Sequence, residues 1–301
     1  MDNFLLLPRA FAAALADTGF VGAFGLVIVS LLLDPVPERD LRSYLRRSTL
    51  FCIFVMLLAL PVQAYLLTAT MMGSSGFGVV CGQFGSTMTE THAGRDLICN
   101  CFFVLALLLL VAVGRGAQTR SRTCSLLAVL LLLAAIRAAT GHSAGDGDFT
   151  LPEFVQFLHL ASIAVWAGCV VASGFVVLPT MLREQRTEGI AEFMRKLSRT
   201  VTLALLLVAL SGLYNAYRGL GGSMSPLVRT EWGNLLDLKV VLVFTAVAMG
   251  ASSRRMLRRN RSLSPPQISR LATTLRAEAI VMLLILIVSA WLANSPPASA
   301  I

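Results

Sequence analysis

Eight long apolar runs, separated by short polar segments, dominate the sequence. They cover residues 11–33, 49–68, 97–113, 124–139, 154–178, 201–216, 235–249 and 277–293. Each run is close to the roughly 20 residues that cross the hydrocarbon core of a bilayer. Inside a bilayer a single segment satisfies its own backbone only as a helix. The pattern therefore predicts an all-α polytopic membrane protein with an eight-helix transmembrane bundle.

Composition agrees with residence in a lipid bilayer. Of the 301 residues, 56% are hydrophobic and 14% are charged, whereas soluble domains carry about 25% charged residues. The formal net charge of +9 does not indicate nucleic-acid binding. The basic residues form short clusters between the apolar runs, without the aromatic-interleaved basic face that nucleic-acid binding requires.

The basic clusters predict the orientation of the bundle. They follow the first, third, fifth and seventh runs, within residues 39–47, 115–122, 183–199 and 254–270. The alternate connections are almost free of positive charge. Under the positive-inside rule the basic connections are cytoplasmic. We therefore expect a multi-pass membrane protein with both termini and the other connections on the outer side.

Short motifs recur in the two halves of the chain. A Leu-Pro pair opens the first run at 7–8 and the fifth run at 151–152. A Thr-x-x-Gly motif precedes the third run at 91–94 and the seventh at 230–233. Four spans in each half give the halves the same orientation. We predict two parallel four-helix repeats, residues 1–140 and 141–301, with any site near their interface.

All three histidines, His92, His142 and His159, map to the predicted outer side. His159 lies inside the fifth run, roughly 10 Å beyond Pro152 at 1.5 Å per residue. An ionisable side chain within a span is costly and indicates function by default. The alternative for His159 is an interhelical hydrogen bond.

Methionines in the outer connection between the second and third runs complement the histidines. They are Met71, Met72 and Met88. Thioether and imidazole groups suit copper, and thioethers favour Cu(I). No carboxylate cluster accompanies them, which disfavours calcium or magnesium. We predict a copper site built from these residues and the histidines, although methionines in such connections also pack against neighbouring helices.

Further polar or aromatic residues in the runs are candidates for lining the bundle interior. On a helical wheel Gln156 and Trp166 share the face of His159. Asn215 lies at the outer end of the sixth run, Asp17 in the outer half of the first and Lys239 at the start of the seventh. We expect a polar lining or interhelical hydrogen bonds, with Lys239 as a partner for Asp17.

Motifs for catalysis are missing. The sequence has no phosphate-cradling Gly-rich loop followed by Lys and Ser or Thr. It has no Cys-x-x-Cys motif, and no Ser/His/Asp or Glu-bearing zinc motif at plausible spacing. We therefore expect a protein that is not an enzyme.

Four segments of the second half resemble the copper-resistance protein D (CopD/PcoD-like) family. They are TGHSAGDGD at 140–148, FLHLASIAVWAG at 157–168, KLSRTVTLALLLVALSGLYNA at 196–216 and RTEWGNLLDLKVVLV at 229–243. The resemblance implies a bacterial inner-membrane protein of copper uptake or resistance, often beside a periplasmic copper-binding partner. By analogy with the family, it implies that His142 and His159 are functional positions, with Trp166 as a neighbour.

Three functional hypotheses follow. In the first, outer-face histidines and methionines accept copper from the periplasm and the bundle passes it inward or presents it to a partner. In the second, the chain is a haem-binding membrane subunit, which requires two histidines on facing helices at matched depth. In the third, it is a scaffold or assembly factor without transport activity. The sequence leaves the oligomeric state open.

Overall fold

A computed structural model of the chain describes residues 5–33, 39–114, 120–139, 150–184, 189–220, 230–260 and 263–295. Within these ranges the backbone is almost entirely helical and forms no strand. Eight of the helical segments are long and apolar enough to cross a membrane. The predicted all-α fold with eight spans is confirmed.

The helices extend beyond the apolar runs at most of their ends. In chain order they are α1 (Leu6–Leu32), α2 (Arg39–Met72), α3 (Phe77–Glu90), α4 (His92–Val113), α5 (Arg120–Ala139), α6 (Leu151–Ala172), a π-helical turn (Ser173–Val177), α7 (Leu178–Arg183), α8 (Ile190–Gly219), α9 (Glu231–Arg259) and α10 (Pro265–Asn294). The fifth span is the continuous α6–α7 unit. The helix α3 occupies a connection for which the apolar pattern predicts no helix.

The recurring Thr-x-x-Gly motif is a helix start. Thr91 precedes α4 and accepts a hydrogen bond from the backbone N–H of Gly94, at 3.0 Å. Thr230 precedes α9 and accepts one from Gly233, also at 3.0 Å. A threonine oxygen in this position satisfies one of the backbone donors that have no partner in the first turn. The two halves of the chain therefore start their third spans in the same way.

The centre of the bundle is the pair α1 and α6. The helix α1 packs against α2, α6 and α10, and α6 packs against α1, α5, α8 and α10. The two central helices cross at Gly25 and Gly168. A Cβ at Gly168 would lie 2.2 Å from the carbonyl oxygen of Val21 and 2.9 Å from the Cα of Gly25. Only glycine permits this backbone-to-backbone approach, as small residues do at membrane helix interfaces.

The helix contacts occur in matching sets. The contact of α1 with α2 corresponds to that of α6 with α8, and the contact of α2 with α4 to that of α8 with α9. Likewise α4–α5 matches α9–α10, and α5–α6 matches α10–α1. A parallel repeat with α1 and α6 at equivalent positions predicts this pattern. The division into two four-helix repeats stays a prediction.

The arginine-rich segments meet at one end of the bundle, called the basic end here. Arg46 of α2 donates to the carbonyl oxygens of Val111 and Ala112 at 3.1 and 2.9 Å. Arg122 of α5 donates to Leu110 and Val111 at 3.1 and 3.3 Å. Both guanidinium groups therefore bind the unpaired carbonyls at the C-terminus of α4, where positive charge is favourable. The opposite end carries the start of α6 and is called the histidine end.

We expect Gly168→Ala to destabilise the folded protein, because the added methyl group overlaps the backbone of α1. Overpacking of this kind costs about 1–3 kcal/mol. The measurement is thermal unfolding in detergent, followed by fluorescence-detected gel filtration. Gly85→Ala in α3 is the matched control, since a Cβ there meets no atom within 4 Å. Equal melting temperatures for the two variants would contradict the crossing.

Candidate metal-binding site between α6 and α8

His159 lies two turns into α6 and is buried against α8. Its side chain is 8% exposed, and its Nδ1 lies 3.0 Å from the Oγ of Ser211. Gly212 provides the space for the ring, because a Cβ there would lie 3.2 Å from the imidazole Cε1. The interhelical hydrogen bond that the sequence left as an alternative is therefore present.

The Ser211 hydroxyl determines which imidazole nitrogen stays available. Its oxygen lies 2.5 Å from the backbone carbonyl of Leu207 in the preceding turn. A hydroxyl has one proton to donate, and this carbonyl accepts it. In the tautomer with a proton on Nδ1, the Ser211 oxygen accepts from His159 and Nε2 carries the lone pair. This is the arrangement of metal-binding histidines, in which the second nitrogen is fixed by a hydrogen bond.

A second interhelical hydrogen bond lies one turn nearer the histidine end. The Asn215 side-chain amide donates to Oε1 of Gln156 at 2.8 Å. With His159 and Ser211 these residues form a polar track between α6 and α8. Two of the predicted lining residues, Gln156 and Asn215, thus lie beside His159. The positive charge of Lys239 on α9 is close enough to interact with the imidazole ring. Trp166, 3% exposed, instead lines a cavity nearer the basic end.

Asp17 has a different partner from the one predicted. Its carboxylate forms an ion pair with Arg137 of α5, and the guanidinium lies 5.4 Å from the centre of the Phe20 ring. The predicted pairing of Asp17 with Lys239 is wrong. The reason is the helix order, because α1 packs against α5, whereas α9, which carries Lys239, packs against α8 and α10.

His92 and two of the methionines occupy another part of the bundle. His92 is the first residue of α4, its side chain is 53% exposed, and its Nδ1 lies 2.8 Å from a carboxylate oxygen of Asp96. Met71 and Met72 end α2 and are 45% and 40% exposed. The two thioethers and the imidazole therefore lie at accessible helix ends on the α2–α4 side.

Met88 is a packing residue. It is 7% exposed near the end of α3, next to the start of α4. A Cβ at Gly94 of α4 would lie 2.7 Å from the Met88 Cα. The backbones of α3 and α4 therefore touch here, and Met88 belongs to that contact. This is the packing alternative that the sequence left open for the methionines.

The predicted copper ligands are thus divided between two places in the described part of the chain. His159 is in the α6–α8 interface, whereas His92, Met71, Met72 and Met88 are on α2, α3 and α4. His142 lies outside the described residues. Among the described residues, no group of three or more His, Cys, Asp or Glu side chains is placed to hold a metal ion. His92 is the other described histidine, and it is exposed at a helix start, which does not favour a facing histidine pair for haem.

Two ionisable residues inside the apolar runs were missed by the sequence reasoning. Arg137 lies in the fourth run and Glu278 at the start of the eighth. Glu278 is 4% exposed. The signal was available, because a charged residue within a span is itself an indication of function or pairing.

Two family models match the chain. Residues 5–151 match the model described as Copper resistance protein D-like, N-terminal domain. Residues 191–292 match the model described as Copper resistance protein D. His92 and the three methionines lie within the first match. His159 lies between the two matched regions.

Two curated proteins are similar to most of the chain. One is the Copper transport protein CutJ of Bacillus subtilis (strain 168), 31% identical over 252 residues, which are 81% of this chain and 44% of that protein. The other is Copper resistance protein D of Pseudomonas syringae pv. tomato, 26% identical over 253 residues, 80% of each chain. The chain thus spans less than half the length of the Bacillus protein. No solved structure shows significant similarity to this chain.

We expect Arg137→Leu to destabilise the protein, because it leaves the Asp17 carboxylate within the bundle without its cation. Breaking a fully buried ion pair from one side costs about 3–5 kcal/mol, and this pair is partly buried, with side chains 14% and 28% exposed, so we expect a loss below that range. Thermal unfolding in detergent measures the effect. The double variant Arg137→Leu with Asp17→Leu should regain most of the lost stability. A double variant as unstable as the single one would show that the pair is not the cause.

Proposed function

Because the chain belongs to the copper-resistance protein D family, we propose that it is a bacterial inner-membrane protein that binds copper at His159 and conducts it toward the cytoplasm. In this proposal the protein is a transporter and not an enzyme. The basic end faces the cytoplasm, as the positive-inside rule requires. The histidine end, both termini and α3 then face the periplasm.

The observation that carries this proposal is the state of His159. Its Nδ1 lies 3.0 Å from the Oγ of Ser211, and this oxygen lies 2.5 Å from the carbonyl oxygen of Leu207. In the proposed tautomer Nδ1 carries the proton and Nε2 the lone pair. Neutral imidazole is a good ligand for copper, and the hydrogen bond on the other nitrogen fixes its orientation. The names of the two similar proteins, copper transport and copper resistance, agree with copper as the transported ion.

In this proposal the other copper ligands are residues on the periplasmic side. His142 is the first choice, because its segment lies shortly before α6 and carries the resemblance to the family. The exposed His92, Met71 and Met72 form a separate acceptor surface for copper delivered by a periplasmic copper-binding protein. Soft thioethers favour Cu(I), so we propose that this is the oxidation state carried.

We expect His159→Ala to weaken Cu(I) binding about 100-fold, and Ser211→Ala to weaken it about tenfold, the range for loss of a residue that orients a ligand. The measurement is Cu(I) competition with a coloured chelator on purified protein in detergent, with elemental analysis for stoichiometry. Ser211→Ala is informative because it leaves the imidazole in place and removes only the group that fixes its proton.

Thr49→Ala is the matched control for Ser211→Ala. Thr49 is also a buried hydroxyl that donates to the carbonyl four residues before it, at 2.8 Å, but it lies on α2. The Thr49→Ala variant should bind copper as the wild type does. The variant His92→Ala tests the acceptor surface by itself, because it leaves the buried site at His159 intact. Wild-type affinity in the His159→Ala variant would overturn the proposed site. A wild-type protein that binds no copper would favour the scaffold instead.

The proposed orientation predicts the labelling of Cys81. This cysteine is exposed on α3, which follows the second span. In cells with a permeable outer membrane, a membrane-impermeant maleimide should modify a variant that retains Cys81 alone. A second variant with one cysteine in place of Ser262, in the basic segment between α9 and α10, should react only after the inner membrane is opened. The reverse labelling pattern would invert the topology and place His159 toward the cytoplasm.

A further inference from the structure

A cavity of about 170 Å³ lies among α6, α8, α9 and α10, in the half of the bundle nearer the basic end. Most of its lining is apolar, with Trp166 and Val170 contributed by α6. Its polar residues are Ser198 and Thr202 of α8, Ser253 and Arg254 of α9, and Glu278 of α10. The cavity is separate from the His159 site, on the other side of Trp166.

Glu278 has no polar partner in this cavity. Its side chain is 4% exposed, and no hydrogen bond or ion pair to its carboxyl occurs among the described residues. Its carboxyl group lies against Gly250 of α9, where a Cβ would be 3.1 Å from Oε1. The Oγ of Ser253, which lines the same cavity, is also buried without a hydrogen-bond partner in the described structure.

The charge of Glu278 is not compensated from the neighbouring helices. Arg254 is the other charged residue of the cavity lining, and its Nη1 donates to the Thr202 hydroxyl at 2.7 Å. The helices α6 and α8 contribute no ionisable side chain to the lining, and α1 contributes no residue to it. An isolated carboxylate in an apolar interior is costly, so such a group takes up a proton or a cation.

We propose that the carboxyl group of Glu278 is a proton-binding site that exchanges with the basic end through this cavity. In the protonated form the O–H bond makes Glu278 neutral and stable in the apolar lining. On release the proton passes to water entering from the basic end, and the carboxylate left behind attracts a cation. The link of this exchange to copper movement rests on the proposed function, whereas the proton site itself does not.

Infrared difference spectroscopy of the purified protein tests the site directly. Raising the pH should remove a carboxylic C=O stretching band, and this loss should be absent in Glu278→Gln. The glutamine has the same shape, and gel filtration checks that the variant is folded. Glu192→Gln is the matched control, because Glu192 is an exposed glutamate on α8 paired with Lys196 at 3.0 Å, and it should leave the band unchanged.

A band that titrates equally in wild type and Glu278→Gln would overturn the proposal. So would a Glu278 band that does not change with pH, because such a group does not release its proton. A second experiment uses proteoliposomes with an internal pH dye. A copper gradient should move protons in the wild type, and Glu278→Gln should lose this movement.

The two experiments separate the two proposals. If the Glu278 band titrates and no copper crosses the membrane, the proton site stands and the transport function fails. If copper crosses and the band is absent, the proton site fails and transport stands. If both are present but copper moves no protons, the coupling between them is refuted.

Discussion

The contact between Gly25 and Gly168 is the constraint on which the arrangement of the bundle depends. Because the backbones of α1 and α6 touch there, the two helices form a single central unit, and the other spans pack around it. His159 is nine residues before Gly168 and Asp17 is eight before Gly25, about 14 and 12 Å along their helices. The crossing therefore sets the depth of both polar groups relative to each other, on the same side of the centre.

The helix α6 connects two polar regions that differ in chemistry. Near the histidine end its polar face meets α8 through hydrogen bonds from neutral groups, with His159 and Gln156 as the α6 partners. Two turns further on, Trp166 borders a cavity that contains an acid and an arginine. Buried residues of α6 such as Ile163 and Ala164 lie between the two. A cation that travels along α6 would exchange a neutral ligand for a charged one as it passes this apolar layer.

The spans were predictable because apolar length and basic clusters are local properties of a sequence. The helix α3 was not, because Gly78, Gly82 and Gly85 give its segment the composition of a connection. Its helix is stabilised by burial of Val80, Thr87 and Met88 against the neighbouring spans, which is tertiary information. The partner of Asp17 was missed for a related reason, since an ion pair between spans depends on which helices are neighbours.

The site was predictable in part. His159 was identified because an imidazole inside an apolar run stands out, and Gln156 because it shares the same helical face. The role of Ser211 could not be read from the sequence, because serine is common in membrane helices and only the structure shows which histidine nitrogen it meets. Glu278 and Arg137 required the same reasoning as His159, applied to the fourth and eighth runs.

The hydrogen bond from His159 to Ser211 has a consequence for competition between ligands. With Nδ1 engaged, the imidazole has a single electron pair on Nε2, and any electrophile that enters the interface must compete for it. In the proposed site, a proton and a soft metal ion are therefore mutually exclusive occupants of one atom.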